Sequence, residues 1–206
     1  MSNYSKWEQY YKKTPLDKIP WQRTQADYFI KVIEMGKVKP GSALDLGCGT
    51  GAKSIYLSKK GFNVIGIDIS KTAIKFAKRN AQKAKVKVRF ITADATDLSF
   101  LNDKKFDFVL DWANLHGILK SRRKKYIAEI VEHTKKGSKF LLRCFSKDKT
   151  QKEFVIRPMG LIYLFSKEDI RNFFNKHFKI LETNKSRSIG KIPPSKWLDE
   201  YLMERL

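Results

Sequence analysis

The chain has 206 residues, 43 of them lysine or arginine against 21 aspartate or glutamate, for a formal charge of +22. That length holds one globular domain of class α/β, and a hydrophobic fraction of 42% excludes a disordered or low-complexity chain. No apolar run of about 18 residues and no N-terminal apolar signal region occurs, which predicts a cytoplasmic protein with no membrane partner; Cys48 and Cys144 make no disulfide framework, and the scattered His116, His133 and His177 make no metal site.

The first forty residues carry Trp7, Tyr10, Tyr11 and a Pro20-Trp21 pair. Ala43-Leu44-Asp45-Leu46 then reads as a short apolar strand with a carboxylate near its end, followed by Gly47-Cys48-Gly49-Thr50-Gly51. Glycines there supply positive φ and let a ligand approach the backbone, while a helix starting at Ala52 aims its free N–H groups at the same space. The helix is predicted over Ala52 to Lys60 with Gly61 as its stop, and a second strand over Asn63 to Ile67 ends in Asp68. A carboxylate at that tip, 21 residues after Gly47, suits both hydroxyls of a ribose. Up to this point a dinucleotide and another nucleoside cofactor fit equally.

Ser70 reads as the N-cap of a helix to about Lys83, Val86 to Ile91 as a third strand with Asp94 and Ala95 beyond it, and Phe106 to Asp111 as a fourth. Four successive strands therefore lead into carboxylates, Asp45, Asp68, Asp94 and Asp111, and an open α/β sheet brings such ends to one crevice. Further along, Ser121 to Thr134 is predicted as a helix, Gly137 to Cys144 as the fifth strand, Ser166 to Asn175 as a helix capped by Ser166, and Phe178 to Thr183 as a strand. A last strand falls between Ser195 and Arg205, with a helix over Glu200 to Leu206 as the competing assignment. The stretch from Phe145 to Phe165 fits no regular pattern and is expected to lie over the site.

The glycine turn with Asp45 before it and Asp94 after it resembles the class I S-adenosylmethionine-dependent methyltransferases, most closely the thiopurine S-methyltransferase and tellurite-resistance group of small-molecule enzymes. The resemblance is strongest from Asp45 to Asp111, and looser at Trp7, Tyr10, Tyr11, Pro20-Trp21 and Pro193-Pro194-Ser195-Lys196-Trp197. It implies a Rossmann-like, doubly wound, seven-stranded and mostly parallel sheet with an antiparallel C-terminal hairpin and helices on both faces. It divides residues 1–206, a single domain, into an N-terminal helical lid (1–40), a cofactor core (41–145) and an acceptor-side region (146–206). S-adenosyl-L-methionine, leaving as S-adenosyl-L-homocysteine, is then held by Asp45, Gly47, Cys48, Gly49, Gly51, Asp68, Ile69, Asp94, Ala95 and Asp111. Asp45 serves the cationic methionyl end and Asp94 the adenine amino group.

The sulfonium makes the methyl group electrophilic, so the acceptor is expected to be a thiol, a chalcogen oxyanion or an amine placed in line with it. Asp111 and His116 are the titratable groups expected nearest the methyl, and Trp21, Trp112 and Asn114 the residues shaping the acceptor pocket; Arg143, Arg157 and Arg187 are further candidates for drawing in an anion. The charge admits a second reading, an RNA or protein methyltransferase. Yet 33 of the basic residues are lysines, spread as pairs such as Lys12-Lys13, Lys59-Lys60, Lys104-Lys105 and Lys135-Lys136, the distribution of a solvated surface. An NAD-dependent oxidoreductase is disfavoured because Tyr56/Lys60 and Tyr163/Lys167 sit wrongly for a Tyr-x-x-x-Lys catalytic helix. A non-catalytic binding protein is disfavoured by the intact turn. Either a monomer or a homodimer is expected.

Overall fold

The computed structural model describes residues 3–19, 27–147, 154–157, 160–187 and 197–206. Helices α1 (Asn3–Lys13) and α2 (Asp27–Glu34) precede five parallel strands: β1 (Ser42–Leu46), β2 (Asn63–Asp68), β3 (Arg89–Thr92), β4 (Phe106–Trp112) and β5 (Thr134–Phe145). Helices α3 (Ala52–Lys59), α4 (Lys71–Lys83) and α5 (Arg123–Glu132) connect them. A hairpin of β6 (Phe154–Arg157) and β7 (Gly160–Tyr163), helix α6 (Lys167–Phe174), β8 (Phe178–Arg187) and β9 (Trp197–Arg205) complete the described chain.

The sheet runs β3-β2-β1-β4-β5-β9-β8, with β9 antiparallel to both of its neighbours. This is the seven-stranded, doubly wound sheet with an antiparallel C-terminal hairpin that the resemblance implies. One face packs Leu44, Leu46, Ile65 and Ile67 against Tyr126 and Ile130 of α5 and Ile170 and Phe174 of α6. On the other, Ala43, Val64, Phe108 and Leu110 meet Phe29 and Val32 of α2 and Leu57 of α3. Covered on both sides, the central strands are largely apolar, as parallel strands are, with carboxylates such as Asp45 and Asp111 toward their carboxyl ends. No helix among the described residues is long and apolar enough to cross a membrane.

Caps fix several boundaries. Ser70 Oγ accepts from the Ala73 N–H at 3.0 Å to start α4, and Ser166 and Asp169 form a reciprocal capping box at α6, a device worth about 1 kcal/mol. Other boundaries move. β3 begins at Arg89 rather than Val86, because the Val86 N–H closes onto the Ala81 carbonyl at 3.1 Å while Lys85 takes a positive φ of 55°. β5 starts at Thr134, directly after α5, and carries Gly137 within it. The last segment is strand, not helix, since Leu198 to Glu204 pair residue by residue with β5. The β6-β7 hairpin occupies the irregular stretch and joins the sheet through a bridge between Ser146 and Phe165.

Candidate active site

The strand order reverses between β1 and β4, and the carboxyl edge at such a reversal is where open α/β sheets form a crevice. Leu46 stands beside Asp111 there, so the turn after β1 faces the turn after β4. Gly47, Gly49 and Gly51 have φ of 67°, 54° and 84°. A Cβ on Gly47 would fall 2.5 Å from Asn114 Oδ1, so both backbone angle and contact demand glycine. The Cys48 N–H donates to the Ile67 carbonyl at 2.8 Å, and the Gly49 N–H donates to Asp68 Oδ2 at 2.8 Å, tying the turn to β2. The Asn114 side chain is packed against this turn, close to Tyr126.

Asp45 is 2% exposed and accepts from Ser54 Oγ at 2.6 Å; Asp68 is 8% exposed and accepts from the Ser70 and Gly49 N–H groups. Burial pushes each carboxyl up to about 6, and for Asp68 the charges of Asp45 and Glu8 add to it. Neither has a cation within ion-pair distance among the described residues. Asp94 takes the Thr96 N–H and hydroxyl on Oδ1, while Arg122 holds Oδ2 at 2.5 Å. Ala95 is buried behind it and Ile69, between Asp68 and the α4 cap, is partly exposed.

Asp111 differs from the other three and corrects the expectation of a catalytic group in contact with the cofactor. It is fully buried on the α5 side of the sheet; its oxygens accept from the Asn114 N–H at 2.6 Å, the Leu115 N–H at 2.9 Å and the Tyr126 hydroxyl. Burial raises it to about 7, and those bonds make it the anchor of the turn after β4 rather than a group open to the crevice. His116 also departs from the general base expected of it. The ring is 5% exposed and lies 4.7 Å from Phe145; burial first, then the nearby Arg143, lowers it to about 3. A neutral imidazole that weakly basic is a poor proton acceptor at neutral pH. Its Nδ1 has no partner among the described residues.

Trp112, at the end of β4, packs on Phe29 and carries two cations on its ring: the Arg143 guanidinium at 4.7 Å and the Lys53 ammonium at 5.9 Å. Arg143 lies opposite Trp112 on β5, and its Nε is 3.2 Å from Glu200 Oε1 of β9. Glu200 is 1% exposed and also accepts from Ser186 Oγ and Asn184 Nδ2 on β8, so three adjacent strands brace one guanidinium. Lys53 has no such brace. Burial, and secondarily Arg143, lower it to about 8 against the pull of Asp45. Trp21 and Arg157 lie outside the residues whose side chains are described.

Lys53, Glu200 and Glu8 were not singled out by the sequence. Glu8 reaches from α1 to the head of α4, accepting from Ser70 Oγ at 2.7 Å, Thr72 Oγ1 at 2.8 Å and the Thr72 N–H at 3.2 Å. Burial works against its ionised form, but these bonds prevail and hold it at about 2. Glu8, Ser70 and Asp68 thereby form one hydrogen-bonded chain from α1 to the crevice. Among the described residues no group of three or more His, Cys, Asp or Glu is placed to hold a metal ion.

A methyltransferase-domain family model matches residues 43–137. The chain is 32% identical over 130 residues to the 2-heptyl-1-hydroxyquinolin-4(1H)-one methyltransferase of Mycobacteroides abscessus, covering 62% of this chain and 56% of that protein, little more than half its length. It is 34% identical over 120 residues to an uncharacterised methyltransferase of Schizosaccharomyces pombe, covering 57% of this chain and 80% of that one. Among solved structures, TehB from Haemophilus influenzae superposes with a TM-score of 0.72 at 19% identity, over 98% of this chain and 67% of that chain, a likeness of fold.

Proposed function

Because the chain belongs to the class I S-adenosylmethionine-dependent methyltransferases, we propose that it methylates a small-molecule nucleophile that enters the crevice as an anion, a thiolate or chalcogen oxyanion in preference to an amine. The observation that carries this reading is the pair of cations on Trp112, of which Arg143 is ion-paired to Glu200 while Lys53 feels Asp45 only from beyond ion-pair distance. A nucleophile that arrives ionised needs no proton acceptor. The two groups expected to act as one, Asp111 and His116, are respectively saturated with hydrogen bonds and too weakly basic. A small acceptor is further supported by the relative from Mycobacteroides abscessus, whose name gives 2-heptyl-1-hydroxyquinolin-4(1H)-one as what it methylates.

S-adenosylmethionine, when bound, supplies an electrophilic methyl on a sulfonium. The residues fit it: Asp45 and Asp68 are buried carboxylates with no ion pair among the described residues, and the glycine turn admits close backbone approach. In this reading Asp68 and Ile69 take the ribose, Asp94 and Ala95 the adenine, and Asp45 with the Gly47-Cys48-Gly49 backbone the methionyl end. Gly51 opens the turn into α3. Lys53 draws the acceptor anion toward Trp112 and Asn114, and α1, held by Glu8, covers the ribose side.

Calorimetry and a radiolabelled-methyl assay against thiols, chalcogen oxyanions, amines, RNA and protein test the reading together. S-adenosylhomocysteine is expected to bind and NAD not to, with label passing to a thiol or oxyanion. Lys53→Met should lower kcat/KM for that acceptor by about tenfold, the scale of one partly buried ionic contact, without changing S-adenosylhomocysteine affinity. Label in RNA or protein alone would overturn the acceptor assignment while leaving the family intact.

A further inference from the structure

Between Ile69 and Ala93 the chain carries no acidic residue. The cations of that stretch gather on one side of the molecule. Lys71, Lys75, Lys78, Arg79 and Lys83 lie along the solvent-facing arc of α4, and Lys85, Lys87 and Arg89 continue from its end onto the edge strand β3. Every one of them is exposed, and none forms an ion pair with a described residue. Elsewhere cations and carboxylates are mixed: Lys37, Lys60, Lys105, Lys125, Lys135 and Lys139 each stand against a carboxylate, among other exposed lysines that do not. A chain that was merely rich in lysine would mix acids and bases alike over its whole surface. Here the lysines are spread through the sequence, and it is the acids that are withheld from one face.

Such a face is costly to the isolated protein. Like charges at i and i+4, as at Lys71/Lys75, Lys75/Arg79 and Arg79/Lys83, each destabilise a helix by about 0.2–0.5 kcal/mol, and a polyanion laid along them removes that repulsion. We propose that the outer face of α4 with the β3 edge is a docking surface for a nucleic acid, held through its phosphates and separate from the acceptor crevice. Several features single out this partner. The apolar side of α4, Ala73, Ile74, Ala77 and Ala81, is buried in the domain, and none of the exposed large hydrophobic residues lies on α4 or β3, so nothing here can insert into a bilayer. No exposed aromatic offers a base a stacking platform, so the surface grips backbone and is indifferent to sequence. The cations advance by about 6 Å for every four residues of helix, a step close to that between neighbouring phosphates of one strand. The cations run from Lys71, next to the Ser70 cap at the carboxyl edge, to Lys83 at the far end of α4 and on to β3, so most of the surface lies away from the crevice, as suits a tether.

The test is anisotropy of a fluorescein-labelled, unstructured RNA of about 30 nucleotides, titrated between about 50 and 200 mM salt. A variant combining K75E, K78E, K83E and K87E is compared with one combining K13E, K39E, K136E and K176E, exposed lysines elsewhere that give the same change in net charge. The first is expected to bind at least about tenfold more weakly than the second, with a log–log salt slope shallower than wild type by about 3; the second should keep most of the wild-type slope. Melting by circular dichroism and calorimetry with S-adenosylhomocysteine establish that the α4 variant is folded, and the four glutamine substitutions at the same positions provide a milder second variant. Equal weakening in both charge-reversed proteins would reduce the effect to net charge and overturn the proposal. So would wild-type protein that ignores the RNA, or that binds phosphatidylserine vesicles and not RNA.

Discussion

Asp45 and Asp68 are the two side chains whose titration the cofactor should sense. Both are raised from the ordinary 3.8 to about 6, so between roughly pH 4 and 6 the folded protein holds protons that the unfolded chain has released. Their contribution to stability is therefore present at low pH and is lost as pH rises through about 6. A cationic ligand reverses the balance by favouring the ionised forms. S-adenosylmethionine affinity is accordingly expected to tighten about three- to tenfold from pH 5 to 7, with proton release on binding, and S-adenosylhomocysteine, which keeps the methionyl ammonium and the ribose, to follow the same trend. Calorimetry in two buffers of different ionisation enthalpy measures both quantities. An affinity flat across that range would mean that neither carboxyl changes its ionisation on binding and would remove Asp45 from contact with the methionyl charge. These carboxylates were legible in the sequence because each follows a strand, but their differences were not. Strand-end position cannot distinguish Asp68, whose oxygens face the glycine turn, from Asp111, which faces α5 and anchors Asn114 and Leu115.

Among the elements, those marked by a cap were legible to the residue, whereas contacts with distant partners were legible only as a type of element or not at all. Ser70 and Ser166 announce α4 and α6 because a cap is a contact across three residues. The strand character of Trp197–Arg205 was ambiguous because its decisive partner, β5, lies more than fifty residues earlier. Glu8 was missed for the same reason: 62 residues separate it from Ser70. Its role at the element scale is to supply α4 with a second cap carried by another helix. Replacing Glu8 with Gln should weaken the docking of α1 by about 1–2 kcal/mol, the range for hydrogen bonds to a charged group. The expected outcome is faster limited proteolysis within the first twenty or so residues with the melting temperature of the remaining domain little changed. Unaltered protection would mean that Trp7 and Tyr11, packed on one another and on Ala73, suffice to hold the helix.

For the whole molecule, a formal charge of +22 with one face of unpaired cations sets a repulsive background against which every favourable contact acts. Salt should screen it. Raising ionic strength from about 0.05 to 0.5 M is expected to lift the melting temperature of the wild type by a few degrees, corresponding to about 1 kcal/mol for a domain of this size, and to lift that of the four-site α4 glutamate variant less. Calorimetric scans decide it, and a melting temperature that falls with salt in both would show that surface ion pairs outweigh the repulsion. The position of β9 bears on how such a molecule is assembled. β8 touches the main sheet solely through β9, yet it precedes β9 in the chain, so it has no place to pair until the later strand has threaded in beside β5. The buried Glu200, which holds Arg143 of β5 and accepts from Ser186 and Asn184 of β8, therefore joins the three strands only once that insertion is complete. The Trp112 wall, on which that guanidinium lies, is thus complete only when β9 is in place beside β5.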